Sequence, residues 1–315
     1  MHITGLHHVT AIASEPQRNL DFYAGVLGLR LVKRTVNFDD PGSYHFYFGD
    51  AAGTPGTILT FFPWPNTRRG SRGAGEVETT AYAIPAESAA HWHDRLARHN
   101  VSVERAAARF GEDVLRFADP DGMLVELIAT KNPGAVQPWD DGPVPAEHAL
   151  RGFHSVTLGL DDPAGTARLL TETFGYHAAG EERNRFRFES TADVGRIIDL
   201  VHVPAIQSGR LGAGSVHHIA FRAADDAQQL EWRKKLTGLR HSVSPVMDRM
   251  YFHSIYFREP GGVLFEIATD SPGFATDESA ADLGSSLRLP SWMESSRPRI
   301  EEILPKIAIP TTASV

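Results

Sequence analysis

Asp119-Pro120-Asp121-Gly122-Met123-Leu124-Val125-Glu126-Leu127-Ile128-Ala129-Thr130 and Glu259-Pro260-Gly261-Gly262-Val263-Leu264-Phe265-Glu266-Ile267-Ala268-Thr269 carry Pro, Gly and Glu in one register, and both end in Ile-Ala-Thr. An internal repeat restricts the fold strongly, because each copy must bury the same face against a neighbour. A second match, Leu6-His7-His8-Val9-Thr10 with Phe153-His154-Ser155-Val156-Thr157, fixes the period. The chain therefore reads as two halves of roughly 145 residues, each holding two units of about 55 to 65, a size suited to one small βαββ-type unit.

In the first unit a strand at His8–Ala11 precedes a helix from Pro16 to Leu27 with Gly28 as its stop, and strands follow at Leu31–Asn37, Ser43–Phe48 and Thr57–Phe62. The second unit has a helix from Glu87 to His99 with Trp92, Leu96 and His99 on its buried side. Helices at Pro163–Phe174 and Asp225–Leu239 mark the third and fourth units. Prolines and glycines make 132–150 a linker, so the domains divide as 1–131, 151–270 and a tail at 271–315, with a short helix near Pro298–Leu304. A net charge of −8 argues against a nucleic-acid or anionic-membrane partner. The one basic cluster, Arg68-Arg69-Gly70-Ser71-Arg72, reads as a mobile loop. With no cysteine, thiol chemistry and iron–sulfur ligation are excluded. There is no apolar run of ~18 residues for a membrane span and no signal-like N-terminus, which gives a cytoplasmic protein as the expectation.

Polar residues interrupt the apolar strands at matching places. His7-His8 opens the first unit, His217-His218 opens the fourth, and Glu266 sits in the last strand. Neighbouring strand residues point to opposite faces, so one His of each pair can ligate a metal while the other supports it from behind. Two His and one carboxylate form the facial set of non-haem Fe(II) oxygenases, which leaves coordination positions open. The repeat supplies its own control. Ser155 stands where His8 does and Thr79 where His218 does, while Glu126 matches Glu266, so one metal per chain is expected and Glu126 reads as a paired structural carboxylate.

The repeated unit, the HHVT opening, LGLRLVKRT, GTPGTILTFFP, RGFHSVTL and YFREPGGVLFE resemble the vicinal-oxygen-chelate superfamily of glyoxalases, bleomycin-resistance proteins and extradiol dioxygenases, and within it the ring-cleaving hydroquinone dioxygenases. The resemblance implies an α+β fold of four βαβββ modules in two tandem domains with curved mixed sheets, the first and fourth modules forming the working cavity. It implies Fe(II), with Mn(II) sharing the same ligand preferences, held by His8, His218 and Glu266. Tyr256 and Arg249 match the family's substrate-contacting pair, and His7, Thr10 and His217 match positions behind the ligands. The implied reaction is ring cleavage of a hydroquinone- or catechol-type diol by O₂. A glyoxalase-I-like lyase is the alternative, but it needs a fourth ligand, and four residues past Gly56 the chain has Thr60. A drug-binding protein without catalysis is the second alternative. A homodimer or higher homo-oligomer is compatible with the sequence, which carries no marker of it.

Overall fold

The computed structural model describes residues 1–204 and 207–310. The first module supplies β1 (Leu6–Ala13), β2 (Arg30–Asn37), β3 (Asp40–Gly49) and β4 (Ile58–Pro63). The second supplies β5 (Glu76–Pro85), β6 (Val103–Arg109), β7 (Glu112–Ala118) and β8 (Leu124–Thr130). From the third come β9 (Phe153–Leu160), β10 (His177–Glu182), β11 (Arg185–Glu189) and β12 (Ile197–His202). The fourth adds β13 (Ser215–Ala223), β14 (Met247–Asp248), β15 (Phe252–Arg258) and β16 (Leu264–Pro272).

Modules one and four, the outer pair in chain order, share a curved eight-stranded outer sheet in the order β14-β15-β16-β13-β1-β4-β3-β2, and modules two and three share the inner sheet, β10-β11-β12-β9-β5-β8-β7-β6. Each sheet is joined at its middle by an antiparallel pair of opening strands, β1 with β13 and β5 with β9. Within a module the opening strand runs parallel to the closing one. β1 and β9 are buried along their whole length, each a central strand with β13 and β4, or β12 and β5, on its two edges.

The helices fall where hydrophobic spacing places them, with two refinements. α1 (Pro16–Leu20) widens into a π-helical turn over Asp21–Val26, and α3 (Ala164–Arg168) does the same over Leu169–Phe174. α2 (Ala89–Arg98) buries Trp92 and Leu96 as expected, but its third buried residue is Arg95, and His99 is only half-buried. The reason is the widened turn, whose last carbonyls need donors. The Arg95 guanidinium supplies them, 2.7 Å from the Gly25 oxygen and 2.8 Å from that of Val26.

The Arg68–Arg72 segment corrects its sequence reading as a mobile loop. It crosses the connector before β13, with Gly70 N–H donating to the Ala213 oxygen at 3.0 Å, and Ser71 and Arg210 exchanging backbone bonds at 2.9 and 2.8 Å. A Cβ on Gly73 would stand 2.2 Å from the Gln207 oxygen, so the crossing needs glycine there. α4 (Asp226–Gly238) packs on the outer sheet. The tail passes through 3₁₀ turns at Phe274–Thr276 and Glu294–Ser296 before α5 (Arg297–Ile303) and is tied down by Lys33, fully buried, whose ammonium lies 2.6 Å from Asp277 Oδ1 and 2.5 Å from Glu278 Oε2. Among the described residues no helix is long and apolar enough to cross a membrane.

Candidate metal centre

His8 on β1, His218 on β13 and Glu266 on β16 come from three adjacent strands, and all three are buried. His8 Nε2 and His218 Nε2 are 3.4 Å apart. Glu266 Oε2 lies 3.3 Å from the first and 2.8 Å from the second. Three ligands held about 2.1 Å from one ion at right or tetrahedral angles stand about 3.0 to 3.4 Å from each other. Two of the observed spacings, 3.3 and 3.4 Å, fall in that range, and the third, 2.8 Å, lies just below it. Glu266 Oε2 also lacks any hydrogen bond of acceptable geometry, while Oε1 accepts one from the buried Ser254 hydroxyl. A buried carboxylate oxygen aimed at two imidazole nitrogens, with no donor of its own, fits a cation between them. Burial pushes the Glu266 carboxyl upward, but the two imidazoles outweigh it and hold the group well below the usual carboxylate range.

His7 and His217 sit directly behind this set. His7 Nδ1 is 2.9 Å from His8 Nδ1, and His217 Nδ1 is 2.8 Å from His218 Nδ1. Each of the two is the extra residue of a bulge: β1 pairs Leu6 with Phe221 and then His8 with Ala220, skipping His7, and pairs Thr10 with His218 and then Ala11 with Val216, skipping His217. A bulge re-aims its extra side chain. This corrects the expectation from strict alternation, since His217 lines the same cavity as His218. The tautomers follow. If Nε2 of His8 and His218 offer lone pairs to a metal, their Nδ1 atoms carry hydrogen and donate to His7 and His217, which then carry their own hydrogen on Nε2. Burial, and next the neighbouring ring, lower the pKa of His7 and take that of His217 down to about 4, consistent with neutral rings.

A cavity of about 390 Å³ opens over the three converging atoms, of a size for a small ring compound. Thr10, Arg249 and Tyr256 line it, so every residue singled out from the sequence as substrate-contacting reaches it. Arg249 spans its mouth, with Nη1 3.2 Å from the exposed Asp39 carboxylate and Nε 3.4 Å from the Tyr256 hydroxyl. Phe62, Trp64 and Phe252 supply apolar wall, and Asn37 and Asp40 add polar groups. Among the lining residues that escaped the sequence reading are His45 and Tyr47 on β3. In an alternating aromatic strand they look like ordinary core, and the only signal was a His among apolar neighbours.

The inner sheet shows the same positions with another use. Glu126 is fully buried and pairs with Arg109 and Arg116, and Asp199 pairs with Arg185 at 3.0 Å and Arg187 at 2.9 Å. Both carboxylates are occupied by guanidinium groups, as expected for a paired structural Glu126.

The family model described as "Glyoxalase/Bleomycin resistance protein/Dioxygenase superfamily" matches residues 5–127 and 152–267. The chain is 48% identical over 298 residues, 95% of each chain, to the Bacillus subtilis (strain 168) protein named "Putative ring-cleaving dioxygenase MhqO". It is 36% identical over 299 residues, 93% of each chain, to the chlorohydroquinone/hydroquinone 1,2-dioxygenase of Sphingobium indicum. Among solved structures, a Bacillus subtilis "putative dioxygenase" matches with a TM-score of 0.95 at 46% identity, over 98% of this chain and 99% of the other.

Proposed function

Because the chain belongs to the glyoxalase/bleomycin resistance protein/dioxygenase superfamily, we propose that it is a ring-cleaving dioxygenase that opens a hydroquinone- or catechol-type diol with O₂. The observation that carries this reading is the convergence of two imidazole nitrogens and one carboxylate oxygen beneath a cavity walled by aromatic rings. His8, His218 and Glu266 hold the metal, one per chain, and Fe(II) suits both the donor set and the reaction. When bound, the ion supplies open positions for a phenolate and O₂ and the redox chemistry between them.

The protein's own groups prepare the substrate. Arg249 places positive charge at the mouth and favours the phenolate over the phenol. Tyr256, in register with Glu266 across β15 and β16, would offer its hydroxyl to a substrate oxygen at that end of the cavity. His217 presents Nε2–H to the cavity, a donor that can pass a proton to a substrate oxygen and take one back. Phe62, Trp64 and Phe252 exclude water from the ring.

The glyoxalase-type alternative needs a fourth protein ligand. At that place the Thr60 hydroxyl is tied to Thr10 and His45, both at 2.9 Å, and brings no charge. Anaerobic purification with metal analysis, followed by O₂ uptake on hydroquinone, methylhydroquinone and catechol, tests the proposal. Uptake with at least one of them is expected. Uptake with none, alongside glutathione-dependent turnover of methylglyoxal, would overturn it.

A further inference from the structure

Where β3 and β4 line the cavity they carry a polar device that the reaction as described does not use. Tyr47 pairs with Thr60 between β3 and β4, Thr60 with Thr10 between β4 and β1, and Thr10 with His218 between β1 and β13. Side chains in one such row share a face, so a line of residues runs from the metal ligand His218 to Tyr47. At ~4.8 Å per strand, the backbone of Tyr47 stands about 14 Å from that of His218 before the sheet's curvature draws them together. His45, two residues before Tyr47 and on the same face, closes the row into a chain. Its Nδ1 is 2.9 Å from the Tyr47 hydroxyl, and its Nε2 is 2.9 Å from Thr60 Oγ1.

The chain has a direction. Thr60 donates its hydroxyl hydrogen to Thr10 at 2.9 Å, so its lone pairs are left for His45 Nε2–H. His45 Nδ1 then accepts from the Tyr47 O–H, and the Tyr47 oxygen keeps its remaining lone pair for the cavity. Phe62 and Phe252 offer nothing to hydrogen-bond a hydroxyl, and the Trp64 indole N–H already donates to Asp40 Oδ2 at 3.0 Å, while Tyr256 lies in register with Glu266 on the metal's side.

We propose that Tyr47, oriented by His45, accepts a hydrogen bond from the substrate hydroxyl that lies farther from His8, His218 and Glu266, and is the group by which the cavity recognises that second hydroxyl. This inference rests on the dioxygenase reading. A para diol reaches both the metal and the β3 wall across one ring. A ring without the second hydroxyl leaves the Tyr47 oxygen without a partner, and a site built to hydrogen-bond a hydroxyl discriminates against ligands that lack it there. Tyr47 contacts the substrate, while His45 is a positioning residue.

The test compares hydroquinone with 4-methylphenol, which fills the same space without the second hydroxyl. Anaerobic titration calorimetry on the metal-loaded protein reads Kd for each, with metal content and melting temperature followed in every variant. The wild type is expected to bind hydroquinone about tenfold more tightly, the worth of one good hydrogen bond. Tyr47→Phe should abolish that preference by weakening hydroquinone alone. His45→Leu, with metal content unchanged, should raise KM for hydroquinone and leave kcat within about twofold. Equal weakening of both ligands in Tyr47→Phe, or a wild type that consumes O₂ with hydroquinone yet binds 4-methylphenol as tightly, overturns the inference alone. No O₂ uptake with any diol overturns the reading beneath it as well.

Discussion

Glu126 and Glu266 occupy the same place in two copies of one module, and removing each should have opposite consequences. Glu126→Ala strips the carboxylate from between Arg109 and Arg116, whose side chains are 12% and 33% exposed. Breaking a buried pair by deleting one partner costs about 3–5 kcal/mol. Because Arg116 keeps a third of its surface in water, the lower end, about 3 kcal/mol, applies. That loss should be the same with chelator and with Fe(II). Glu266→Ala leaves the buried Ser254 hydroxyl without its acceptor, so the metal-free protein should lose about 1–3 kcal/mol. What should vanish is stabilisation by metal, about 2.7 kcal/mol in the wild type at a free concentration a hundred times Kd. Urea unfolding of the three proteins, each with chelator and with anaerobic Fe(II), measures all four differences. A metal-dependent response that survives in Glu266→Ala refutes the ligand assignment. A Glu126→Ala penalty under 1 kcal/mol refutes the account of the inner sheet.

Other expectations follow from single sites. The Asp119 carboxyl is pushed up to about 6, mainly by burial, with the backbone N–H of Met123 and the Tyr23 hydroxyl pulling the other way. Its folded pKa lies above its unfolded one, so its contribution is fully present below pH ~4 and is lost as pH rises through about 6. Stability relative to Asp119→Asn should therefore fall by up to about 3 kcal/mol between pH 4 and 7.5, and a flat or rising difference in denaturation would contradict this. Lys33→Met leaves Asp277 and Glu278 without their buried ammonium and should cost about 3 kcal/mol while opening the tail to protease; unchanged cleavage after Phe274 would count against it. Arg249→Met should lower kcat/KM for O₂ uptake about a hundredfold with metal content intact, and a loss under threefold would remove Arg249 from the proposed chemistry.

The repeat was legible because the Pro, Gly and Glu of the two closing strands sit at fixed offsets, and it carried the strands, the helices and the difference between Glu126 and Glu266. Pairing of the first module with the fourth came only with the family resemblance, since the β1–β13 register is a long-range choice that local pattern does not express. The reach of His217 into the cavity escaped because period-two alternation assumes an unbulged strand. Arg95 escaped for a related reason: its burial answers carbonyls on another helix, and the π-helical turn that exposes them has no spacing signature.

The nesting of the sheets sets an order on biosynthesis. Modules two and three are consecutive, so the inner sheet can close once β12 has left the ribosome, whereas β1 must wait for β13 to be translated. Until then β1 has no antiparallel neighbour on that side, an open edge of the kind that invites association with other chains. A nascent polypeptide arrested before β13 would hold His8 alone of the three converging side chains, so the proposed ligand set is complete only once β16 has been made.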